Sequence, residues 1–331
     1  MTHTMLDILA DQFEYALLVN DGGRLPLAKG FRYTENGQTL EIGDGLWGTL
    51  SALSGQDPRS FPAAADLTYR ISFIDGNEVL RLTKFDENGV KGVMAFRLKA
   101  EDEVISEVEI VPVREEFFGD RGGTITLLQP AMLVTMDGAL VGSPDPLLLK
   151  RVARPEARDA LIRTAEAYLA GIVTNDAGAI AFSEDCRRLD NGQPTTGVQD
   201  ATSLDPDQPR YKPFALNCRE QIDSGFFTNL QRLRGLRSWA DASRGLVLSF
   251  FQLDNPGTAL SFEAPGIGTV KYPGPQAGDA AGREQFDGRI TTNMISPVTM
   301  NCAFLFKIED GKIRRIDAFY RGAPYGMKSG W

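Results

Sequence analysis

The sequence reads FRYTENGQ at residues 31–38 and CRRLDNGQ at residues 186–193, so nearly the same short stretch occurs twice, 155 positions apart. From Asn20 to Gln38, seven of nineteen positions are identical to the residues 155 places later, and no gap is needed. Unrelated segments of this length would share about one identity. Self-similarity over this distance predicts a duplicated domain. The Asn-Gly pair in both stretches predicts the same tight hairpin turn, which requires positive φ.

A second alignment supports the duplication. Residues 95–110 (AFRLKAEDEVISEVEI) resemble residues 303–318 (AFLFKIEDGKIRRIDA) at a spacing of 208. Because 208 − 155 = 53, the second copy contains 53 additional residues between its matched ends. We expect most of them in two turn-rich stretches, 197–213 and 254–289. Loops of this length in a compact domain usually cover or bind a ligand.

The same order of elements is predicted in both copies. An amphipathic helix (6–18 and 158–173) precedes the Asn-Gly hairpin, and a short helix follows it, at residues 218–235 in the second copy. A run of strands separated by short polar turns then completes each copy. Helices followed by antiparallel strands predict an α+β fold, with the helices packed on one face of a strongly curved sheet.

The length of 331 residues suits two domains of ordinary size. We predict a shorter first α+β domain at residues 1–115, acting as a scaffold, and a linker at residues 116–155. The second α+β domain, residues 156–331, contains the long loops and is the expected active domain. The linker contains Pro and Gly but also an apolar stretch, so we expect it to cross the interface between the domains.

Composition narrows the classes of function. The net charge of −9 disfavours a nucleic-acid partner, because phosphate binding requires an excess of Lys and Arg. Mean hydropathy is −0.20, and no apolar run reaches the length of a membrane span. The first residues lack a basic segment followed by an apolar one. We therefore expect a cytoplasmic protein that does not bind membranes.

The histidine content excludes several kinds of catalytic site. The chain contains one histidine, His3, which lies two residues from an end that we expect to be frayed. We therefore expect no Ser-His-Asp triad, Cys-His dyad or histidine-based metal site. Acid–base chemistry must use Asp, Glu, Tyr, Lys or Arg. No glycine-rich stretch has the context of a phosphate loop, and no acidic stretch has the spacing of a Ca²⁺ loop. We expect no cofactor and no metal, although a carboxylate-only Mg²⁺ or Ca²⁺ site stays open.

The three cysteines, Cys186, Cys218 and Cys302, form no CxxC pair. This favours buried thiols over a disulfide framework or a zinc site. If the protein is exported, a disulfide bond between Cys186 and Cys218 is the alternative.

The order of elements resembles the nuclear transport factor 2-like superfamily, which includes ketosteroid isomerase, scytalone dehydratase and the SnoaL-like polyketide cyclases. The segment EAYLAGIVTNDAGAIAFSEDCRRLDNG (166–192) is similar to the isomerase's opening of helix, small-residue turn, second helix and first strand. The resemblance spans both copies but not the linker or the long loops. It implies that each copy is a cone whose open end accepts a small apolar molecule. Two such cones commonly pack sheet to sheet, so the chain would contain its own dimer partner.

The resemblance also implies site residues. Tyr168 matches the tyrosine that donates a hydrogen bond to the developing enolate, and Asp190 lies near the place of the acid that moves the proton. Asp223 is the other candidate for proton transfer. The first copy has Phe13 and Glu35 at the matching positions, so it lacks the hydroxyl donor.

Four further residues are candidates for substrate binding: Arg187, Tyr211, Tyr320 and Arg321. The three catalytic candidates also have structural interpretations. Tyr168 suits core packing, Asp190 suits a turn, and Asp223 suits the charge of a helix terminus.

These observations predict a cofactor-independent lyase or isomerase that abstracts a proton, removes water or cleaves a C–C bond. The expected substrate is a small apolar, aromatic molecule, such as a lignin-derived diarylpropane or a polyketide-like compound. The alternative is a non-catalytic small-molecule carrier or assembly module. Two or more acids or tyrosines converging in the second cone would favour the enzyme. The predicted internal pseudo-dimer leaves further homo-oligomers open.

Overall fold

A computed structural model describes residues 3–53, 70–88, 90–114, 146–198, 213–271 and 297–331. These residues form an α+β fold with many strands and few helices. The first half contains α1 (His3–Leu18), a 3-10 turn (Gly22–Arg24), β1 (Leu27–Glu35), β2 (Gln38–Thr39), α2 (Leu46–Thr49), β3 (Ala52–Leu53), β4 (Arg70–Asp75), β5 (Glu78–Glu87), β6 (Val90–Glu101) and β7 (Val104–Arg114).

The second half contains α3 (Pro146–Leu149), α4 (Arg158–Thr174), β8 (Phe182–Asp190), β9 (Gln193–Pro194), α5 (Cys218–Asp223), β10 (Arg232–Asp241), β11 (Leu246–Asn255), β12 (Ser261–Ala264), β13 (Gly268–Lys271), β14 (Val298–Glu309) and β15 (Lys312–Pro324). None of the described helices is both long enough and apolar enough to cross a membrane.

The two large sheets share one strand order. The first runs β2-β1-β7-β6-β5, with β3 and β4 both pairing with β5, and the second runs β9-β8-β15-β14-β11-β10. Both are mixed, because β1 pairs with β7 and β8 pairs with β15 in parallel, whereas their other pairs are antiparallel. Register shifts interrupt the ladders at equivalent places, between β1 and β7 and between β8 and β15. Such irregularities bend and twist a sheet.

The sequence repeat is also a repeat of structure. Strands β8 and β9 begin and end 155 residues after β1 and β2, and β14 begins and ends 208 residues after β6. The two Asn-Gly turns confirm the expected positive φ: 49° and 76° at Asn36-Gly37, and 47° and 89° at Asn191-Gly192. These values fit the two-residue turn whose twist matches that of the flanking strands.

Three hydrophobic cores hold the elements together. Helix α1 covers one face of the first sheet, and α4 with α5 covers one face of the second. The third core lies between the sheets and joins residues of both, including Leu82, Val93, Trp239, Phe250 and Leu305. Successive residues of a strand point to opposite faces, so each central strand serves two cores. Both faces of β5 and β14 are therefore buried along nearly the whole of each strand.

The structure corrects two predictions of secondary structure. The helix predicted at residues 218–235 ends at Asp223, and β10 begins at Arg232. A capping box between Asn217 and Glu220 starts this short helix, and Gly225, with φ of 82°, follows its end. Residues 175–181 form turns and coil instead of the second helix expected after α4.

The predicted linker and long loops lie largely outside the described residues. At the linker's described end, Leu148 of α3 is fully buried in the core between the sheets. Within the second loop, β12 and β13 form a hairpin whose Phe262 packs into the core of the second half. The domain boundaries themselves stay a prediction.

Candidate functional site

Four polar side chains meet inside the apolar core of the second half. Tyr168 comes from α4, Arg188 and Asp190 from the end of β8, and Tyr320 from β15. Their exposed fractions are 1%, 4%, 4% and 7%, so all four are removed from water. Burial of polar groups is costly unless they bond to one another. We call these four residues the buried polar chain.

Hydrogen bonds connect the buried polar chain from end to end. Arg188 donates from Nε to Oδ1 of Asp190 at 2.7 Å and from Nη1 to the hydroxyl of Tyr168 at 3.0 Å. The hydroxyl of Tyr320 donates to the Asp190 carboxylate. Arg188 therefore lies between a phenol and a carboxylate, and a second phenol contacts that carboxylate. Such charge-assisted hydrogen bonds are short and strong.

The local structure explains why these side chains point inward. Arg188 and Asp190 are two positions apart on β8, so they face the same side of the sheet, whereas Arg187 faces solvent. The following Asn191 bonds to the backbone of Tyr320 in both directions, at 3.2 Å and 3.0 Å. The Asn-Gly turn thus joins the end of β8 to β15 and sets Tyr320 beside Asp190.

Burial determines the protonation of the site. It raises the pKa of Asp190, against the opposing effects of Arg188 and Tyr320, so this carboxylate is more basic than an exposed one. Burial also raises the pKa of Tyr168 and of Tyr320, which keeps both phenols protonated and able to donate. For Arg188, burial acts to lower the pKa, but Asp190, Tyr168 and Tyr320 together outweigh it, so the net pKa is raised.

An aromatic cluster extends from this chain to the β12–β13 hairpin. The guanidinium of Arg188 lies 4.5 Å from the ring centre of Phe227, within the range of cation–π attraction. Phe226 makes edge-on contacts with Phe227, Phe214 and Phe262, at 4.9, 5.9 and 6.3 Å between ring centres. The core between the buried polar chain and the hairpin is therefore rich in aromatic rings.

Three other predicted site residues lie away from the buried polar chain. Asp223 is exposed, and its Oδ1 accepts a hydrogen bond from the backbone of Ala177 at 2.8 Å, so it holds a turn. Arg187 is exposed on the opposite side of β8 from Asp190. Arg321 is half-buried, and burial together with Arg114 of the first half lowers its pKa. Tyr211 lies outside the described residues. The structure thus brings together Tyr168, Asp190 and Tyr320 but not Asp223, Arg187 or Arg321.

Sequence reasoning selected Arg187 and missed its neighbour Arg188. The spacing offered a signal, because the residue that shares a strand face with Asp190 is two positions before it. The first half has related but different contacts at the equivalent positions, including an Arg114–Glu35 ion pair at 3.5 Å. At the positions 155 earlier it has Phe13, Tyr33 and Glu35, and Glu35 accepts from the Tyr33 hydroxyl at 3.3 Å and from the Leu46 backbone at 2.9 Å.

The described residues contain no cluster of three His, Cys, Asp or Glu side chains suited to a metal ion. All three cysteines are free and buried. Cys218 lies beside Thr196, with Sγ 3.9 Å from Oγ1, and also interacts with Cys186. The possible Cys186–Cys218 bridge is therefore a pair of neighbouring thiols in this structure.

Comparison with known proteins gives one family. The sequence pattern described as Domain of unknown function (DUF8021) matches residues 154–320, which include the whole buried polar chain. No curated protein matches the chain. A de novo designed protein with a curved β-sheet is similar to 36% of this chain over 92% of its own length, with 14% identity and a TM-score of 0.25. A ketosteroid isomerase-like protein of Kribbella flavida DSM 17836 is similar to 36% of this chain over 84% of its own length, with 12% identity and a TM-score of 0.25.

Proposed function

The chain belongs to the DUF8021 family, and we propose that its second half is a cofactor-independent lyase or isomerase for a small apolar, aromatic molecule. One observation supports this above all: phenols, a guanidinium and a carboxylate of raised pKa converge in an otherwise apolar core. Buried polar groups of opposite character, with pKa values moved by their surroundings, are typical of acid–base sites. The convergence of an acid with two tyrosines is the feature that separates the enzyme from a carrier.

Tyr168 is proposed as the hydrogen-bond donor to the oxygen on which charge develops. Its hydroxyl accepts a hydrogen bond from Arg188, so its own proton must point elsewhere. The adjacent guanidinium makes the phenol a stronger donor. In a low-dielectric interior, such a fixed donor stabilises a developing oxyanion far better than water would.

Asp190 is proposed as the group that moves the proton. Burial raises its pKa and so increases its basicity, while Arg188 and Tyr320 fix its orientation. The proposed reaction begins when Asp190 removes a proton next to a carbonyl, leaving an enolate whose oxygen is held by Tyr168. Return of the proton to another carbon gives an isomerase. Expulsion of a β-hydroxyl group, which takes the proton from Asp190 and leaves as water, gives a lyase. C–C cleavage follows a separate course: Asp190 removes the proton of a β-hydroxyl group, and the bond between the α and β carbons breaks to give an aldehyde and the enolate held by Tyr168. Asp190 then returns the proton to the enolate carbon.

The remaining roles follow from position. Arg188 is proposed as a positioning residue, because it acts through Tyr168 and Asp190 on either side of it. Tyr320 is proposed to anchor the carboxylate and to contact the substrate. The aromatic cluster around Phe226 supports an aromatic substrate of the diarylpropane or polyketide-like kind.

We further propose that both halves are nuclear transport factor 2-like cones, with residues 1–115 and 156–331 joined by a linker at 116–155. The shared strand order and the core between the sheets support an internal pseudo-dimer. The first half is proposed as a scaffold. Its buried acid, Glu35, contacts Tyr33 and a backbone amide, and Phe13 stands where the second half has Tyr168.

A carrier is the second candidate, favoured by the same aromatic cluster. Edge-on aromatic contacts can hold an apolar ring without any chemistry. A carrier would bind the same class of molecule as the enzyme but would release it unchanged.

The test begins with a thermal-shift screen of small aromatic ketones, diarylpropanes and polyketide-like compounds. Compounds that stabilise the protein are then incubated with it, and their products are followed by mass spectrometry. We expect wild-type turnover, a loss of at least about tenfold in kcat for Tyr168→Phe, and a larger loss for Asp190→Asn. The control Tyr325→Phe alters a tyrosine that is 43% exposed and should leave kcat unchanged.

Three outcomes are separable. Wild-type activity in Asp190→Asn or Tyr168→Phe would refute the assigned roles. Binding without turnover by the wild-type protein would identify the carrier. Because Tyr168→Phe removes the acceptor of one Arg188 hydrogen bond, it should also cost about 1–3 kcal/mol of stability, so activities are compared on variants shown to be folded.

A further inference from the structure

The buried polar chain is closed to solvent in this structure. Its four residues are all more than nine-tenths buried, so no molecule can reach them unless an element that covers them moves. One side of Arg188 is covered by two layers of aromatic rings. The ring of Phe227 lies 4.5 Å from the guanidinium, Phe226 lies 4.9 Å from Phe227, and Phe262 of β12 lies 6.3 Å from Phe226. Movement of both layers would uncover Arg188.

The inner layer is a turn at residues 224–230, which we call the aromatic turn. Its backbone bonds partly to itself, from the N–H of Thr228 to the carbonyl of Gly225 at 3.0 Å. Gly225 has φ of 82°, and bonding to β11 begins at Gln231, whose N–H donates to Asp254 at 3.0 Å. Glycine adopts many backbone conformations, and hinges commonly lie at the ends of elements. The aromatic turn can therefore swing about Gly225 while β10 stays paired with β11.

The outer layer is the β12–β13 hairpin. These two strands pair with each other and, within the part of the chain that the structure describes, with no other strand. Gly257, with φ of 65°, connects the hairpin to the end of β11 and donates its N–H to the side chain of Asn255 at 2.8 Å. Phe262 faces the core, whereas Glu263 is exposed. The hairpin is thus a separate layer resting on the core by one face, and such units open at low cost.

Asn229 of the aromatic turn ties the two layers together. Its side chain is 1% exposed, and its Nδ2 donates to the carbonyl of Ala259 at 2.8 Å, while its Oδ1 accepts from the N–H of Ala259 at 2.8 Å. The amide therefore takes both backbone hydrogen bonds of Ala259, as a neighbouring strand would. A second tie, between Gln231 and Thr258 at 3.0 Å, is exposed.

We propose that the aromatic turn and the β12–β13 hairpin form a two-layer gate through which an aromatic molecule enters the buried polar chain, and that Asn229 is the positioning residue that latches the layers. The hairpin swings out at Gly257 and frees the aromatic turn, which then swings at Gly225 and takes Phe227 off Arg188. The closed gate keeps water from the site, which strengthens its hydrogen bonds. The inference rests on the proposed function for the identity of the entering molecule.

Thiol labelling tests the gate with the full-length protein and without a substrate. Cys302 is 1% exposed in the same core and lies opposite Tyr320 in the β14–β15 ladder, so it reports entry at the level of the site. The probe is N-phenylmaleimide, an uncharged thiol reagent with an aromatic ring, and peptide mass spectrometry identifies the labelled cysteine. We expect slow labelling of the wild type, at a rate nearly independent of low urea concentrations, because local opening exposes little surface.

Variants separate the gate from global unfolding. Asn229→Ala should raise the labelling rate of Cys302 about tenfold or more, because two hydrogen bonds of the closed gate are lost. Thr258→Val, at an exposed position, should raise it about two- to threefold and serves if Asn229→Ala does not fold. The control Gly92→Ala strains the first half against Phe85, far from the gate, and should leave the rate within about twofold of wild type.

The proposal is overturned by an unchanged rate in both gate variants, by equal acceleration in Gly92→Ala and Asn229→Ala, or by a rate that rises steeply with urea. The enzyme proposal fails separately. Absent turnover together with faster labelling in Asn229→Ala would refute the enzyme and keep the gate, whereas turnover by wild type with unchanged labelling in the gate variants would refute the gate and keep the enzyme.

Discussion

Replacing Arg188 with leucine removes the cation that lies between Tyr168 and Asp190 in the core of the second half. Asp190 is 4% exposed and would keep only its hydrogen bond from Tyr320 and its turn contacts. Breaking a buried ion pair by removing one partner costs about 3–5 kcal/mol, because the other charge stays buried without compensation. We expect a loss of that size in the free energy of unfolding at pH 8.

The loss should depend on pH in a direction fixed by Asp190. Burial raises its pKa in the folded protein, and without Arg188 that pKa rises further. The folded state then binds a proton that the unfolded state has already released. Asp190 therefore contributes stability below about pH 4, its pKa in the unfolded chain. That contribution is lost as the pH rises through the pKa of Asp190 in the folded protein. Arg188→Leu should therefore be closer to wild type at pH 5 than at pH 8.

Urea denaturation followed by circular dichroism at pH 5 and pH 8 measures both effects. Arg187→Leu is the matched control, because Arg187 is the exposed neighbour on the same strand, and it should change stability by no more than about 0.5 kcal/mol. Arg188→Leu combined with Asp190→Asn should regain part of the loss, since no unpaired charge remains. Equal losses for Arg188→Leu and Arg187→Leu, or a loss that is the same at both pH values, would refute this account of the buried polar chain.

Two further predictions concern other parts of the cores. At pH 7 the thiols of Cys186, Cys218 and Cys302 should react with Ellman's reagent far more slowly in the native protein than in urea, because all three are buried. Contact with the Cys218 thiol, and to a smaller extent burial, also raises the pKa of Cys186. A thiol that reacts at once in the native state contradicts this prediction. Gly92→Ala should lower stability by about 1–3 kcal/mol in a thermal melt, because the added methyl carbon would lie 2.1 Å from the ring of Phe85; an unchanged Tm would show that the ring moves aside without cost.

The repeat and most of the strands could be predicted because their signals are local. An Asn-Gly pair between strands selects its turn whatever surrounds it, and both turns formed as expected. Residues 230–236 show the limit of such signals. Their leucines recur every third residue, which suggested a helix, but antiparallel pairing of β10 with β11, interrupted by a register shift between Arg234 and Arg237, decides the structure. Preference for a strand depends on its neighbours more than preference for a helix does.

The candidate site was predictable only in part, because it too depends on contacts between residues that are distant in the sequence. Tyr168 and Asp190 were found from a resemblance, and Tyr320 from the end of a predicted strand. The spacing places Arg188 on the same face of β8 as Asp190, but that this face is the buried one depends on partners distant in sequence, 20 residues earlier on α4 and far later on β15. Arg32 and Trp331 are still further apart in the sequence, yet the Arg32 guanidinium lies 3.8 Å from the centre of the Trp331 ring, and nothing in the local sequence marks this contact.

The core between the sheets has a consequence for how the two halves can change over time. In a symmetric pair of identical chains, every substitution appears on both sides of the interface at once. Here both sheets belong to one chain, so a residue can change in one half while the equivalent residue in the other stays as it was. Phe13 and Pro112 can therefore occupy the places that Tyr168 and Tyr320 hold in the second half. One half is free to acquire polar groups at a cost in stability, while the other keeps the shared core packed.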